Sequence, residues 1–426
     1  MTRRSKSSKK RVRRRLPSIL LAGVVLAFAG CASTGRAKAV EPAPSTAARP
    51  NAEYEAEKKR AIELFYSKHD LAEAISVLER LIGEDPQDLA VTELLSSSLF
   101  SYSSAFEEGS AERKEAILRS RELAQKAKDL GSKFLMMDLI LDSTTADGQA
   151  DMSFSKDKAV DEAMKKGETF FARNDLQRAL EAYRLAETLD PALYAAPLYI
   201  GDCYYLLKRP DEAGRAFARA IAIDPNRETA YRYWGDALMK AGKMEEARAK
   251  FIEAIVAEPY SRLAWNGLTQ WAMLNGKQIG HFQFKIPVSM SPDGSLAVDQ
   301  EALSGNNGTQ RWLDYGATRA LWRKELFSGQ YPAETQYRHS LGEESAAIRA
   351  MLSAVSEQIS KEELKASELD PPIQLLLRLN SEGLLEAYTL LALADEGISR
   401  DYKPYRSENR EAIRTYLERY VIHDRK

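Results

Sequence analysis

Acidic side chains recur at a fixed interval in the middle of the chain and could bind a cationic group. Glu168, Asp202 and Asp236 follow one another at a constant interval of 34, and Gln270 extends this row by one more interval. A second row at the same interval lies three positions further along and is apolar or aromatic; its members are Phe171, Tyr205, Met239 and Met273. Carboxylates beside apolar anchors suit a peptide that carries Lys or Arg next to apolar side chains. The alternative is that the acids are merely solvated and the apolar row supports the fold.

Candidates for catalytic or metal chemistry lie nearer the carboxyl end. His339, Glu343 and Glu344 fall within a turn and a half of a predicted helix, and Glu382 and Glu386 are four positions apart. A metal site for hydrolysis needs two or three convergent ligands and an open position, whereas carboxylates and bases at helical spacing are typical of a surface ion-paired face. The sequence also lacks G-x-S-x-G, Walker, G-x-G-x-x-G and H-E-x-x-H motifs. We therefore predict no enzyme, no metal site and no cofactor.

The two rows lie on a helical repeat with the same interval. Three prolines, Pro191, Pro225 and Pro259, recur at this interval, and four other positions recur in register with them in each copy. These four sets are Ala186, Ala220 and Ala254; Tyr183, Phe217 and Phe251; Ala179, Ala213 and Ala247; and Gly167, Gly201 and Gly235. The small residues let two helices approach closely, the aromatic residues fill the gap between neighbouring hairpins, and each proline ends a second helix. The pattern predicts a stack of helical hairpins.

This pattern resembles the tetratricopeptide repeat (TPR) family over residues 160–259. The resemblance implies a stack whose first helices line a concave face, and it places both rows in that groove. A further helix over residues 262–275 has no second helix after it and is predicted to cap the stack. Residues 53–85 form a degenerate copy, with Pro86 at the repeat's proline position.

The amino terminus has the charge, apolar and small-residue order of a secretory signal peptide. Nine basic residues precede residue 16, and the apolar stretch over residues 16–30 is short for a membrane-spanning helix. Phe28-Ala29-Gly30-Cys31 resembles the lipobox of bacterial lipoproteins, with Phe28 where Leu is usual. The resemblance implies that Cys31 is lipidated and becomes the new amino terminus. An ordinary secreted protein cleaved nearby and an uncleaved anchor helix are the alternatives.

The boundaries of the predicted parts follow from these patterns. We expect a lipoprotein signal peptide over residues 1–30 and a flexible tether rich in Ala, Pro, Ser and Thr over 31–51. The predicted folded parts are an amino-terminal helical region with two long helices after the degenerate repeat (52–141), a polar linker (142–157), the repeats with their cap (158–276) and a carboxyl-terminal domain (277–426).

The carboxyl-terminal domain resembles no family and is interpreted from its patterns alone. Alternation over residues 281–288 predicts a half-buried edge strand that contains Pro287, and a turn at 291–294 would return residues 296–299 as a hairpin. Helical patterns follow; they cover residues 310–327, 334–360, 373–379, 381–398 and 407–422. The fold class is thus all-α: a TPR α-solenoid with a small β-hairpin and a carboxyl-terminal helical domain.

Charge and cysteine content exclude further classes. The whole chain has 61 Lys and Arg against 62 Asp and Glu, and without the nine amino-terminal bases 52 bases face 62 acids. An acidic mature protein argues against nucleic acid as a partner. Two cysteines cannot form a disulfide framework, and Cys203, inside a helical segment, is interpreted as a small buried hydrophobic residue.

Together these patterns predict a lipid-anchored TPR scaffold for protein–protein interaction at the cell envelope. Its partner would be a protein or peptide held in the acidic and apolar groove, and the acids favour a basic one. The membrane would be reached through lipidated Cys31, with the body facing the periplasm or the outer membrane. Two alternatives remain open: a ligand-handling TPR component of a periplasmic transport system, and an enzyme whose site lies in residues 277–426.

Overall fold

A computed structural model describes residues 52–150, 153–291, 293–305 and 307–425. These residues form two compact units, which divide between Lys243 and Met244. The predicted signal peptide, Cys31 and the tether lie outside the described residues, and the other predicted domain boundaries stay predictions. Within the described ranges, no helix combines the length and apolar character that a membrane crossing requires.

The first unit consists of successive helical hairpins. Its helices are α1 (Ala52–Glu63), α2 (Leu71–Glu84), α3 (Leu89–Tyr102), α4 (Ala111–Asp129), α5 (Leu135–Ser143), α6 (Lys158–Ala172), α7 (Leu176–Leu189), α8 (Ala195–Leu206), α9 (Pro210–Ile223) and α10 (Glu228–Lys240). A π-helical turn, Leu64–Lys68, extends α1, and a 3-10 turn, Ser103–Ala105, follows α3. The degenerate repeat and the two long helices after it are therefore present as predicted.

A left-handed residue ends the first helix of each regular hairpin. Asn174, Lys208 and Gly242 have φ angles of 58°, 58° and 77° and recur at the interval of the sequence repeat. His69, with φ of 52°, occupies the corresponding place between α1 and α2. The left-handed conformation reverses the chain and satisfies the last helical carbonyls, so the turn geometry repeats with the same period as the sequence pattern.

Glycines of the first helices meet aromatic rings of the second helices. A Cβ atom on Gly167 would lie 2.3 Å from the Tyr183 ring, and one on Gly201 would lie 2.4 Å from the Phe217 ring. Both distances are too short for a side chain, so these positions require glycine for the helices to approach. The predicted close approach of the two helices at these glycines is thus confirmed in both hairpins. The aromatic residues were predicted to fill the gap between neighbouring hairpins; they pack within their own hairpin, and Tyr183 also contacts Tyr199 of the next one at a centroid distance of 5.4 Å.

The serine-rich helix α3 packs closely on α4. Ser96 Oγ donates to the Ser120 carbonyl oxygen at 2.8 Å, and Ser120 Oγ donates to the Ser96 carbonyl oxygen at 2.8 Å. Both hydroxyls are buried. This reciprocal pair satisfies two buried hydroxyl groups while leaving the backbones near each other, which explains the small residues that the sequence places here.

The second unit begins with the second helix of the third regular repeat. Its helices are α11 (Met244–Ala257), α12 (Arg262–Leu274), α13 (Trp312–Leu321), α14 (Phe327–Gln330), α15 (Leu341–Ser360), α16 (Pro371–Ser381), α17 (Leu385–Ala392), α18 (Glu396–Ser399) and α19 (Tyr402–Tyr420). Its strands are β1 (Lys277–Ile279), β2 (Val288–Met290), β3 (Leu296–Val298) and β4 (Ile422–Asp424). A π-helical turn, Trp322–Leu326, joins α13 to α14, and 3-10 turns lie at Thr309–Arg311 and Ala366–Glu368.

The predicted hairpin is present, but the strand before it is shorter than expected. β2 pairs antiparallel with β3 in the register Val288↔Val298, whereas residues 280–287 are not part of a strand. Side chains hold this stretch instead: His281 Nδ1 lies 2.9 Å from the Tyr416 hydroxyl, and Phe284 packs between Trp312 and Tyr388. The alternation therefore reports aromatic packing on helices, and the prediction of a strand over 281–287 was wrong.

Two further elements of the second unit differ from the predicted ones. The helix predicted from residue 334 begins only at Leu341, because Ser340 caps α15 and Arg338 is drawn into ion pairs with Glu334 and Asp401. The helix predicted over 407–422 ends at Tyr420, and Ile422 begins β4, which pairs antiparallel with β1. The backbone hydrogen bonds between β1 and β4 join segments that are far apart in the sequence, so the local pattern of neither segment predicts them.

The predicted capping helix, α12, packs on α11, and the carboxyl-terminal helix α19 also packs there. The Tyr402 hydroxyl donates to the Val256 carbonyl oxygen at 2.7 Å. Arg410 and Arg414 pair with Glu253. α19 thus attaches the carboxyl-terminal helices to the last repeat. The whole fold class is confirmed: a predominantly helical repeat protein with small β-hairpins.

Candidate functional site

The predicted acidic row lies on the first helices of three successive hairpins, and all three carboxylates are buried. Glu168 on α6, Asp202 on α8 and Asp236 on α10 have exposed fractions of 3%, 5% and 8%. The repeat carries each acid to an equivalent place in its hairpin. The interpretation of these acids as merely solvated is therefore excluded by their burial.

Glu168 is the best satisfied of the three acids. The Tyr183 hydroxyl on α7 donates a hydrogen bond to Glu168 Oε1. Burial raises the pKa of Glu168 from 4.5 to about 7, and the hydrogen bond from Tyr183 offsets only part of that rise. Removing a carboxylate from water disfavours its charged form, so the proton stays on Glu168 up to neutral pH.

Asp202 lies in the central hairpin and has an unsatisfied oxygen. Its Oδ2 is buried and has no hydrogen-bond partner. Burial raises the pKa of Asp202 well above its usual range, negative charge on Glu168 and Asp236 raises it further, and Arg232 lowers it. Asp202 thus responds to the charge of both neighbouring acids of the row. A buried acceptor without a donor is costly, and a donor from another molecule would remove that cost.

The nearest cationic influence on this row comes from Arg232, one helical turn before Asp236. Arg232 is buried and its Nε donates to Glu228 Oε2 at 2.8 Å. Burial raises the pKa of Asp236 to about 7, although Arg232 acts in the opposite direction. The Arg232 guanidinium thus pairs with Glu228 and also stabilises negative charge on Asp202 and Asp236. This buried pair was not predicted from the sequence, although Glu228 and Arg232 have i, i+4 spacing at the start of α10.

The apolar row is less uniform than its sequence period suggests. Phe171 is buried with its ring centroid 4.3 Å from that of His69, so it packs against the amino-terminal hairpin. Tyr205 is half-buried, and Lys240 Nζ lies 4.5 Å from the centre of its ring. Met239 is also half-buried. These side chains have different neighbours, and only the latter two are partly accessible.

The last members of both rows lie in the second unit. Gln270 is half-buried on α12, and Met273 is 52% exposed near the carboxyl end of the same helix. The binding role assigned to the eight row residues stays a prediction. What the structure adds is that the carboxylates are buried and mostly uncompensated in the first unit.

A second buried polar group lies in the other unit, where the sequence indicated a surface face. Glu343 and Glu344, in the first turn of α15, have exposed fractions of 0% and 2%. Arg319 Nε donates to Glu343 Oε1 at 2.8 Å, and the Tyr315 hydroxyl donates to Glu344 Oε2 at 2.9 Å. Both donors lie on α13, which packs against α15. The expectation of a surface ion-paired helix face was wrong because tertiary packing of α13 covers it.

His339 joins this buried group from the segment before α15. Its Nε2 lies 2.9 Å from Glu344 Oε2, and its Nδ1 lies 2.7 Å from Asp395 Oδ2. Its partners are carboxylates and no open ligand position is formed. Among the described residues, no group of three or more His, Cys, Asp or Glu side chains is arranged to hold a metal ion.

Comparison with known proteins gives a family match for part of the first unit. Residues 164–228 match the family model of the tetratricopeptide repeat. This segment is therefore similar to TPR repeats, which stack into extended concave surfaces in the proteins that contain them. No curated protein matches the chain.

Several solved TPR structures are similar to parts of the chain. The second TPR domain of human RPAP3, in complex with the HSP70 peptide SGPTIEEVD, is 25% identical, with 26% of this chain and 94% of that chain covered and a TM-score of 0.25. TTC0263 of Thermus thermophilus is 15% identical, with 52% and 97% covered and a TM-score of 0.24. MamA of Desulfovibrio magneticus RS-1 is 12% identical, with 50% and 99% covered and a TM-score of 0.23.

Proposed function

We propose that this protein is a lipid-anchored scaffold of the cell envelope whose TPR repeats hold a protein or peptide partner through a cationic side chain. The observation that carries the proposal is the row of buried carboxylates at the repeat interval, with one Asp202 oxygen lacking any hydrogen-bond partner. A stable fold gains nothing from uncompensated buried acids, since desolvation disfavours them. A Lys or Arg side chain of the partner would supply the missing donor and the missing charge.

The protonation state of the row gives this proposal a pH signature. Burial raises the pKa of Glu168 and of Asp236 to about 7 in the unliganded protein. A bound cation favours the charged carboxylates, so binding releases protons from those still protonated. Affinity for a cationic partner should therefore rise between pH 6 and pH 8. A partner held by apolar contacts alone would show no such rise.

The test is calorimetric titration of the full chain with Lys-containing and Arg-containing peptides, each matched by a peptide with Gln at the cationic positions. The measurement is repeated at pH 6 and pH 8 and in buffers of different ionisation enthalpy, which reveal proton release. The Asp202→Asn variant should bind the cationic peptides at least about tenfold more weakly, because it loses one charge-assisted hydrogen bond. Its matched control is Glu181→Gln, an exposed acid on α7.

Equal binding of the cationic and Gln peptides, or unchanged binding by Asp202→Asn, would overturn the cationic groove. Charge reversal at Asp202 and Asp236 should abolish binding where the variants fold, which circular dichroism checks. Peptides that emerge from crosslinking and pull-down in the protein's own cell then provide the natural sequences for the same titration.

The membrane anchor is a separate part of the proposal and rests on the sequence around Cys31. Cys31→Ser should move the protein from the membrane fraction to the soluble envelope fraction, because a diacylglyceryl thioether needs the thiol. Mass spectrometry of the mature amino terminus measures the modification directly. An unmodified Cys31 in a membrane-associated protein would refute lipidation and leave the groove experiment unaffected.

A further inference from the structure

His339 lies between two carboxylates that belong to different segments of the second unit. Its Nε2 is 2.9 Å from Oε2 of Glu344, which lies in the first turn of α15 and is 2% exposed. Its Nδ1 is 2.7 Å from Oδ2 of Asp395, which precedes α18 and is 51% exposed. The imidazole itself is 18% exposed. One ring thus connects a buried acid to a solvent-accessible one.

The hydrogen-bond chemistry of this arrangement requires two ring protons. A neutral imidazole has a single N–H, whereas the imidazolium has two, and an ionised carboxylate only accepts. Glu344 already accepts from the Tyr315 hydroxyl, and Asp395 Oδ1 accepts the Ile398 amide. Both carboxylates are therefore acceptors, and both contacts of His339 are satisfied together only in the protonated ring.

Charge balance in the buried group points the same way. Glu343 and Glu344 are buried side by side, and the Arg319 guanidinium lies between them at 2.8 Å and 3.9 Å. One guanidinium neutralises one of the two carboxylates, so a second positive charge is needed. Imidazolium at His339 supplies it. The titratable and charged groups that face this ring from the surrounding elements are Tyr315 and Arg319 of α13, Glu343 and Glu344 of α15, Tyr337 and Arg338 of its own segment, and Asp395 and Asp401 around α18.

We propose that His339 is a proton-operated clasp, which in its protonated form fastens the start of α18 to the amino-terminal turn of α15 and which deprotonation opens on the Asp395 side. The side that opens follows from burial. A buried Glu344 that lost its donor would be left with an uncompensated charge, whereas Asp395 can be solvated by water. The remaining proton therefore stays on Nε2, and the Nδ1 lone pair then faces the Asp395 carboxylate.

The clasp acts on a tightly packed junction. A Cβ atom on Gly397 would lie 2.3 Å from the His339 carbonyl oxygen, so the two segments are in close backbone contact. The next anchor is Asp401, which accepts from Arg338 at 2.6 Å and from the Leu341 amide at 2.8 Å. Asp401 directly precedes α19, the helix that contacts α11. Opening at Asp395 therefore loosens the segment that begins α19, while the arginine pair keeps it attached.

The direction of the titration agrees with this geometry. Burial lowers the pKa of His339, but its contacts with Glu344 and Asp395 outweigh burial and hold the pKa above its ordinary value of 6.5. A raised pKa in the folded state means that the clasp is fully closed below the unfolded value. Its stabilisation is lost as the pH rises through the folded value. His69 and His281 behave oppositely, since burial lowers the pKa of each to about 4.

The experiment is an NMR titration of the ring nitrogens in the full chain labelled with ¹⁵N-histidine. The four histidines are assigned by single His→Gln variants. We expect His339 to remain doubly protonated above pH 6.5 and its neutral form to carry the proton on Nε2. A His339 that titrates at or below 6.5, or a neutral Nδ1–H tautomer, would overturn the proposal, and this result needs no variant to fold at position 339.

Hydrogen exchange measures whether the clasp moves the junction. After correction for the intrinsic pH dependence, protection of the Ile398 and Leu341 amides should fall about tenfold as the pH passes the His339 midpoint, through the lost charge-assisted bond. His339→Gln should abolish this step, and Asp395→Asn should lower the pKa of His339. His423→Gln, an exposed histidine, is the matched control and should keep the step. Protection that steps equally in His339→Gln would assign the effect to another group and refute the clasp.

Discussion

Replacing Glu168 by Gln should stabilise the first unit at alkaline pH and destabilise it slightly in acid. Gln keeps a carbonyl oxygen for the Tyr183 hydroxyl but cannot ionise. In the folded protein burial raises the pKa of Glu168 from 4.5 to about 7. The folded state thus holds this proton more tightly than the unfolded chain, so stability falls as the pH rises from 4.5 to about 7.

The size of the effect follows from that pKa rise. At 1.36 kcal/mol per pKa unit, ionised Glu168 costs about 3 kcal/mol at pH 8. Burying the amide of Gln costs about 1 kcal/mol in return, so the net gain is about 2 kcal/mol. Below pH 4.5 the acid is protonated in both states, so only the cost of the buried amide remains and the variant is less stable by about 1 kcal/mol.

Urea unfolding of the full chain at pH 4.5, 6 and 8 measures this difference when exchange of α6 and α7 amides reports the first unit separately. Glu181→Gln on the exposed face of α7 is the control, and it should change stability little at any pH. A gain that does not vary with pH would show that Glu168 has no raised pKa, and a loss of stability at pH 8 would show that its charged form is stabilised. The same variant should weaken a cationic peptide, because it removes the charge that the proposed groove offers.

Two other predictions concern packing and capping. Gly201→Ala should lower the free energy of unfolding of the first unit by about 1–3 kcal/mol, because its Cβ would lie 2.4 Å from the Phe217 ring. Gly83→Ala is the control: a Cβ there would have nothing within 4 Å. The same urea titration should show it to be neutral or stabilising by up to about 1 kcal/mol. Ser340→Ala should lower the stability of the second unit by about 1 kcal/mol, since Ser340 caps α15. Ser345→Ala removes a buried hydroxyl without a partner and should not lower it. Equal losses of stability in thermal unfolding would contradict the capping role of Ser340.

The hairpins of the first unit were predictable because each signal in them is local and periodic. Gly167 and Gly201 lie where an aromatic ring leaves no room for a side chain. Because these glycines recur at the repeat interval, the sequence alone indicates that a small residue is needed there. The second unit lacks such repetition. The alternation around Phe284 could arise from a strand or from an extended segment packed on helices, and pairing of β1 with β4 joins residues about 145 positions apart. Local patterns do not encode partners at that distance.

The candidate site shows the same division between position and environment. The period places Glu168, Asp202 and Asp236 on equivalent helices correctly, but exposure depends on the side chains around them, which the period does not report. Burial by neighbouring aromatic side chains of the hairpins, such as Tyr183, changes solvated charges into acids with raised pKa values. The group around His339 shows the same limit in the second unit. Helical spacing suggested an exposed, ion-paired helix face, whereas packing of α15 against α13 buries its carboxylates.

The buried carboxylates of the two units are satisfied to different degrees. In the second unit Glu343 and Glu344 receive an arginine, two tyrosines and a histidine, so their charges are matched within the protein. In the first unit Asp202 has an oxygen with no donor at all. Burial raises the pKa of Asp202 and so favours its neutral form, and its unpartnered oxygen still costs about 1–3 kcal/mol. In the function proposed above, a donor from the partner molecule would remove that cost.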